Sequence, residues 1–241
     1  MLKRSTSFRS ICRRPSSMYA ANGRTAFMTA KWSKFAPLFW MLVIPALNIV
    51  YGILNHGADG ASSLMTDLDR MIPMIPVFII PYILWYPIIV GTFCLLCMKD
   101  RQLYYRTLIT LCGGLILCYS VYYLFQTTVP RPDVNSNGII SSMVQFIYAT
   151  DQPYNCFPSI HVLSSYIIIK AVMQCRHISK HIKSFIVIFC WFIIASTLFV
   201  KQHVLLDVAG GILLAELLNQ IQHVPNILAG EREHANPLTR R

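Results

Sequence analysis

Met71–Met98 reads MIPMIPVFIIPYILWYPIIVGTFCLLCM and contains no charged residue. About 20 apolar residues in helical form cross the hydrocarbon core of a bilayer, so this stretch reads as a spanning helix. Prolines 73, 76, 81 and 87 predict a helix that is kinked or broken at its ends. On either side of it the pattern repeats. Further apolar runs cover about Phe35–Leu54, Leu108–Phe125, Ser159–Gln174, Phe185–Val200 and Val204–Ile221, the fourth of them short. The expected fold is therefore all-α: a polytopic membrane protein built as a bundle of six transmembrane helices.

The composition agrees. Of 241 residues, 55% are hydrophobic and 13% charged, against about 25% charged in a typical soluble domain. The mean hydropathy is +0.50. A soluble globular domain of this size could not cover its surface with so few charges. The net charge of +11 is explained by membrane orientation rather than by nucleic acid, so no nucleic-acid partner is expected. The eight cysteines lie mostly in apolar runs and read as small hydrophobes. Cys94 and Cys97 have Cys-x-x-Cys spacing, but inside a span, so no redox or metal role is assigned to them.

Three regions follow. Residues 1–34 read as a basic cytoplasmic tail, disorder being the expectation for a Ser- and Arg-rich arm without an acid. An Arg-rich, acid-free start also resembles an organelle transit peptide, the less favoured reading. Residues 35–222 form the six-helix membrane domain, and 223–241 a second cytoplasmic tail. Lys and Arg concentrate in the first arm, the second-to-third and fourth-to-fifth loops and the carboxy-terminal tail. They leave only Arg70, Arg131 and Lys201 on the other side. By the positive-inside rule both termini face the cytoplasm. Between the third and fourth spans, Ile139, Ile140, Met143, Phe146 and Ile147 share one helical face, as in a short helix lying in the interface. Trp40, Tyr82, Trp85, Tyr86 and Tyr123 read as aromatic belt. Asp67, Asp69 and Arg70 read as interfacial anchors, with head-group contact as the alternative. Glu216, inside the sixth span, pairs with a neighbouring helix or belongs to a proton path.

The stray basic residues on the outer side mark the chemistry. Arg131, Ser159, His161, Lys201, His203 and Asp207 all fall at one end of the spans. Ser159 suits the amino-terminal cap of the fourth span, where free N–H groups and the helix dipole favour an anion. His203 and Asp207, four apart, share a helix face. A carboxylate there holds one imidazole nitrogen and leaves the other as base or nucleophile. Arg131 grips phosphate in bidentate fashion and Lys201 adds a point charge. Such a set suits a phosphoryl group, with one His attacking phosphorus and the other protonating the departing oxygen. A metal held by His161, His203 and Asp207 is chemically conceivable, but the helix start and the cations suit an anion better. No metal and no cofactor is expected. His177 and His181, among basic residues of an inner loop, read as a solvated face.

Arg131-Pro132, Pro158-Ser159-Ile160-His161 and His203-x-x-x-Asp207 resemble the three signatures of the type 2 phosphatidic acid phosphatase superfamily, over about residues 70–221. The resemblance implies a metal-independent reaction through a phosphohistidine. His203 would be the nucleophile, Asp207 its orienting group and His161 the general acid, with Arg131 and Ser159 on the phosphate. Three positions depart from the pattern. Leu124 stands where the first signature has Lys, Ile160 replaces Gly, and Ser196-Thr197 replaces Ser-Arg. Lys201, two residues before His203, would supply the missing charge as a further phosphate-binding residue. These departures, with Phe157–His161 and Lys201-Gln202-His203, look more like the branch containing inositol phosphorylceramide synthases and sphingomyelin synthases.

The resulting expectation is an integral membrane lipid phosphatase or phospho-head-group transferase, working on a lipid phosphate or phospholipid. The plasma (inner) membrane is the expected location, with the site on the extracytoplasmic side. Two alternatives from other classes are a proton-coupled small transporter and a catalytically inactive lipid-binding protein. Against the transporter, the charged cluster lies at one end of the spans and no repeat is seen.

Overall fold

A computed structural model describes residues 36–55, 60–134 and 138–235, with side chains as far as residue 222. The chain divides into Met1–Pro37 and Leu38–Arg241, and the description concerns the second unit. The expected basic tail over 1–34 lies outside the described residues.

The described residues are mostly helical. Helix α1 covers Ala36–Leu54, beginning as a 3-10 turn, and α2 is the short Asp67–Met71. Helix α3 runs Pro76–Lys99 and α4 Arg101–Leu124. After them come α5 (Ile139–Thr150), α6 (Ile160–Gln174), α7 (Lys180–Phe199) and α8 (Leu205–Ala235). Two-residue strands β1 (Ser62–Ser63) and β2 (Thr127–Thr128) pair in parallel.

Among the described residues four helices, α1, α3, α4 and α7, are long and apolar enough to cross a membrane, as an integral membrane protein requires. The run predicted over 71–98 is broken near its start. Thr66 and Asp69 form a reciprocal cap that begins α2, and Pro73 and Pro76 force an extended entry before α3. Within α3 the helix tightens at Leu84, because Pro87 has no N–H for the carbonyl of Ile83. The other two predicted spans differ from the four. Helix α6 has 15 residues, about 22 Å at 1.5 Å per residue, short of a hydrocarbon core of about 30 Å. It is buried almost all round and packs against α3, α4, α7 and α8, so it is the central post of the bundle rather than a lipid-facing helix. Helix α8 is interrupted by polar residues, including Asp207 and Glu216, and its backbone continues to Ala235. Most of the tail predicted from 223 is thus helical, while 236–241 lie outside the described residues.

Glu216 pairs with Lys170 of α6 at 2.9 Å and accepts from Tyr166 Oη at 2.7 Å. The largest core runs through Phe93, Leu96, Tyr104, Leu163, Ile168 and Ile193. In α5 the predicted apolar face divides. Ile140, Met143 and Ile147 pack towards Ile79, Tyr82 and Val200, whereas Ile139 and Phe146 are exposed. Helices α4 and α7 end, and α6 and α8 begin, at one end of the bundle, together with the β1–β2 pair and α5.

Candidate active site

The first wall of the site is the start of α6. Ser159 is extended, and its Oγ accepts the Val162 N–H at 3.4 Å, capping the helix. The turn before it is held from both sides. Tyr122 Oη donates to the Pro158 carbonyl at 2.6 Å, and Thr127 Oγ1 accepts the N–H groups of Cys156 and Phe157 at 3.0 and 2.9 Å. The Ser159 N–H reaches the carbonyl of Asp207 on α8 at 3.2 Å. This approach depends on Gly211. A Cβ there would lie 2.9 Å from the Ser159 carbonyl oxygen and 3.0 Å from Val162 Cβ. His161, in the first turn of α6, sits between the rings of Tyr82 and Trp85, with centroids at 4.6 and 4.5 Å.

The second wall is the turn from α7 into α8. The N–H groups of Gln202 and His203 both donate to the Thr197 carbonyl, at 3.0 and 3.1 Å, and Lys201 takes a left-handed φ of 53°. Asp207 is fully buried. Its Oδ2 accepts the Val204 N–H at 2.9 Å and lies 3.3 Å from His203 Nδ1. With Nδ1 donating to the carboxylate, Nε2 carries the lone pair of the neutral ring. The rings of His203 and His161 lie 5.9 Å apart, tilted at 57°.

Arg131 closes the third side. Its Nη1 donates to the carbonyls of Tyr148 and Asp151 at 3.2 and 2.6 Å, Nη2 donates to Gln202 Oε1, and the guanidinium lies 4.7 Å from the Tyr148 ring centroid. Arg131, Asn155, His161, Gln202 and His203 line a common cavity. Arg131 Nε, Asn155 Nδ2, Gln202 Nε2 and His161 Nδ1 are buried with no partner among the described residues. A buried donor left unpaired costs about 1–3 kcal/mol. The Asn155 and Gln202 amide donors, beside one guanidinium and the His161 ring, form a site suited to an oxyanion. The free space is about 10 Å³, roughly one water, so a phosphoryl group enters only as side chains yield.

Arg131, His161 and His203 therefore share one cavity, with Asp207 behind His203. Ser159 and Lys201 do not line it. The Ser159 hydroxyl is engaged as the helix cap. Lys201 Nζ donates to the carbonyls of Asp69 and Ile72 at 3.0 and 2.6 Å, at the end of α2. Those carbonyls engage the Lys201 ammonium away from the cavity in this arrangement. Leu124 is exposed, and Thr197 serves through its carbonyl. Gln202, Asn155 and Asp151 also line the cavity, beyond the residues the sequence pattern points to. Gln202 adjoins His203 in sequence, which was the one available signal. The other two sit in a loop without a periodic pattern.

One group could hold a metal among the described residues: the ligand atoms of Cys156, His203 and Asp207 lie within 4.8 Å of one another. Burial pushes the Cys156 thiol well above its usual range, with Asp207 adding to the shift and Arg131 opposing it. The neighbouring amide and guanidinium donors suit an anion.

Residues 73–219 match the family described as the PAP2 superfamily. That stretch includes both histidines, Asp207 and Arg131. No curated protein and no solved structure matches the chain.

Proposed function

Since the chain belongs to the PAP2 superfamily, whose members are phosphatases or phosphotransferases, we propose that it cleaves a phosphate ester of a membrane lipid through a phosphohistidine on His203. The observation that carries this reading is the pairing of His203 Nδ1 with the buried Asp207 carboxylate, opposite His161 and beside unpartnered donors. In the first step, His203 Nε2 attacks phosphorus and the bond from phosphorus to the leaving oxygen breaks. That oxygen takes a proton from His161. Asp207 holds the His203 ring and stabilises its positive charge. In the second step, water or a lipid hydroxyl attacks phosphorus, gives its proton to His161, and the P–N bond breaks. Arg131, with Gln202 and Asn155, binds the phosphoryl oxygens. Ser159 supports them by ordering the N–H groups at the start of α6, and Lys201 acts from behind the turn. No metal or cofactor takes part in these steps.

In the membrane, α6 and α8 complete six spans with α1, α3, α4 and α7. The distribution of Lys and Arg supports both termini in the cytoplasm and the site at the extracytoplasmic face, and the membrane we propose is the plasma (inner) membrane. The sequences Phe157–His161 and Lys201–His203 favour the head-group transferase branch that contains inositol phosphorylceramide and sphingomyelin synthases, in which a lipid hydroxyl replaces water.

The test is to trap the intermediate. Purified protein given lipid labelled in its phosphate should carry an acid-labile, alkali-stable phosphoryl group that His203→Ala lacks. Mass spectrometry of the same lipids separates release of phosphate from a new phospholipid. No phosphoenzyme and no product across a panel of lipid phosphates and phospholipids would overturn the reading in favour of transport or lipid binding.

A further inference from the structure

Cys156 has no part in the steps proposed for phosphoryl transfer, yet its thiol stands beside the two residues at their centre. Cys156 Sγ, a ring nitrogen of His203 and a carboxylate oxygen of Asp207 lie within 4.8 Å of one another, and all three residues are buried. They arrive on two segments. Cys156 belongs to the loop before α6, where its N–H is fixed to Thr127 Oγ1 at 3.0 Å. His203 and Asp207 belong to the α7–α8 turn and the first turn of α8. The Asp207 carbonyl accepts the Ser159 N–H at 3.2 Å and ties the two segments together. The backbone thus holds the three side chains near one another before any ligand arrives.

The carboxylate itself points to a ligand. Asp207 Oδ2 accepts the Val204 N–H and lies against His203 Nδ1. Asp207 Oδ1 is buried with no partner among the described residues. Buried charged groups are paired, hydrogen-bonded or coordinated to a metal.

The donor set identifies the ion. Calcium and magnesium take oxygen ligands, whereas one sulfur, one imidazole nitrogen and one carboxylate suit zinc. In a tetrahedral zinc site with bonds of about 2.0–2.3 Å, neighbouring ligand atoms stand roughly 3.3–3.7 Å apart. His203 Nδ1 and Asp207 Oδ2 are already at 3.3 Å. The 4.8 Å limit leaves about 1 Å for the thiol to close. The free space of about 10 Å³, roughly one water, takes a single ion without the rearrangement that a phosphoryl group needs. On coordination the thiol proton leaves to solvent. Thiolate and carboxylate then balance Zn²⁺, so Arg131 faces a neutral complex rather than a bare cation.

We propose that Cys156, His203 and Asp207 form an inhibitory zinc site. The site rests on the geometry of the three ligands; its inhibitory effect rests on the phosphohistidine reading above. A neutral imidazole has a single nitrogen lone pair to give. Zinc on Nε2 takes it directly, and zinc on Nδ1 leaves the ring proton on Nε2. Either way His203 loses its nucleophilic lone pair, and Asp207 its hold on the ring.

The test uses the full chain in detergent, titrated with Co²⁺ and then Zn²⁺. Cobalt should give a sulfur-to-metal charge-transfer band that zinc displaces and that Cys156→Ala lacks. Zinc should abolish phosphate release from a soluble lipid phosphate, and EDTA should restore it. Cys156→Ala should match the wild type in EDTA but need about a hundredfold more zinc for equal inhibition, the upper end of what loss of even an outer-shell partner costs. Cys156→Ser, nearly isosteric, serves if the Ala variant fails to fold and should lack the band as well. A wild type without the cobalt–sulfur band, or zinc inhibition equally strong in a folded Cys156 variant, overturns the proposal. The band without His203-dependent release from any lipid phosphate would sustain the metal site and sink the phosphate reading. His203-dependent release that zinc leaves untouched would do the reverse.

Discussion

Lys201 and Asp69 fasten the α7–α8 turn to the end of α2 from both sides. The Lys201 ammonium donates to the Asp69 carbonyl at 3.0 Å at the end of α2, and Asp69 Oδ1 accepts the Leu205 N–H at 2.7 Å at the start of α8. Their contacts bracket His203. The turn bearing the candidate nucleophile is thereby fastened to a segment more than a hundred residues earlier in the chain.

Removing the clamp should loosen the turn without emptying the phosphate cavity. Lys201→Met is expected to lower kcat about tenfold with KM within about twofold, and to cost about 1 kcal/mol of stability, the usual size of a lost cap. Steady-state kinetics on a soluble lipid phosphate check this. A large rise in KM with unchanged kcat would return Lys201 to the phosphate.

Asp69 also predicts a pH dependence. Burial pushes its carboxyl up, but hydrogen bonds from Thr66 and Leu205, with Lys201 nearby, outweigh that and hold it below the usual carboxylate range. A depressed folded pKa contributes stability above the unfolded value, near pH 4, and that stability is lost as pH falls further. Thermal unfolding from pH 6 to pH 3 should show the wild type converging on Asp69→Asn at the acid end. A constant difference across that range would refute it.

The orienting role of Asp207 predicts a large effect for a small change. Asp207→Asn keeps the shape but removes the charge that stabilises imidazolium, and by analogy with serine-hydrolase triads should lower kcat about 10³–10⁴-fold. Phosphate release measured beside His203→Ala provides the scale. A loss below about tenfold would mean that the 3.3 Å contact plays no orienting part.

Gly211 is the point where α8 meets the α6 cap. In Gly211→Ala the new methyl meets a backbone carbonyl, so the helices must part, at a cost of about 1–3 kcal/mol and with His161 drawn away from His203. Gly210→Ala meets the edge of the Phe157 ring, at 2.5 Å from Cε2, and a side chain can turn away. Activity should therefore fall further in Gly211→Ala than in Gly210→Ala. The reverse order would contradict this account of the contact.

Arg131 uses its planar fork, not its charge alone. Arg131→Lys keeps the cation but cannot reach the carbonyls of Tyr148 and Asp151 and the Gln202 amide together. KM should rise about tenfold or more, and the separation of α5 from the α7–α8 turn should show as faster amide exchange. An active Lys variant with wild-type KM would count against the geometry.

Much of this was legible in the chain because the relevant physics is local. Apolar runs such as Phe185–Val200 declare helices by composition alone. Asp207 falls four residues after His203, so their pairing is local even though His203 lies in the turn before α8 rather than on the helix face expected, and a Ser before an apolar run is a cap wherever it is placed. Other features depend on contacts between distant segments. The ammonium of Lys201 goes to the carbonyls of Asp69 and Ile72, rather than to the cavity, because folding brings the end of α2 within reach. Helix α6 is shorter than a bilayer is thick, yet it is sheltered by four neighbours. Gln202 and Asn155 are neutral and unpatterned, and they become donors to the cavity only once Arg131 and the two histidines surround it. Hydropathy, helical spacing and capping act within a few residues and can be read along the chain. The destination of a long side chain and the pairing of a buried polar group are settled by which distant backbone arrives beside it.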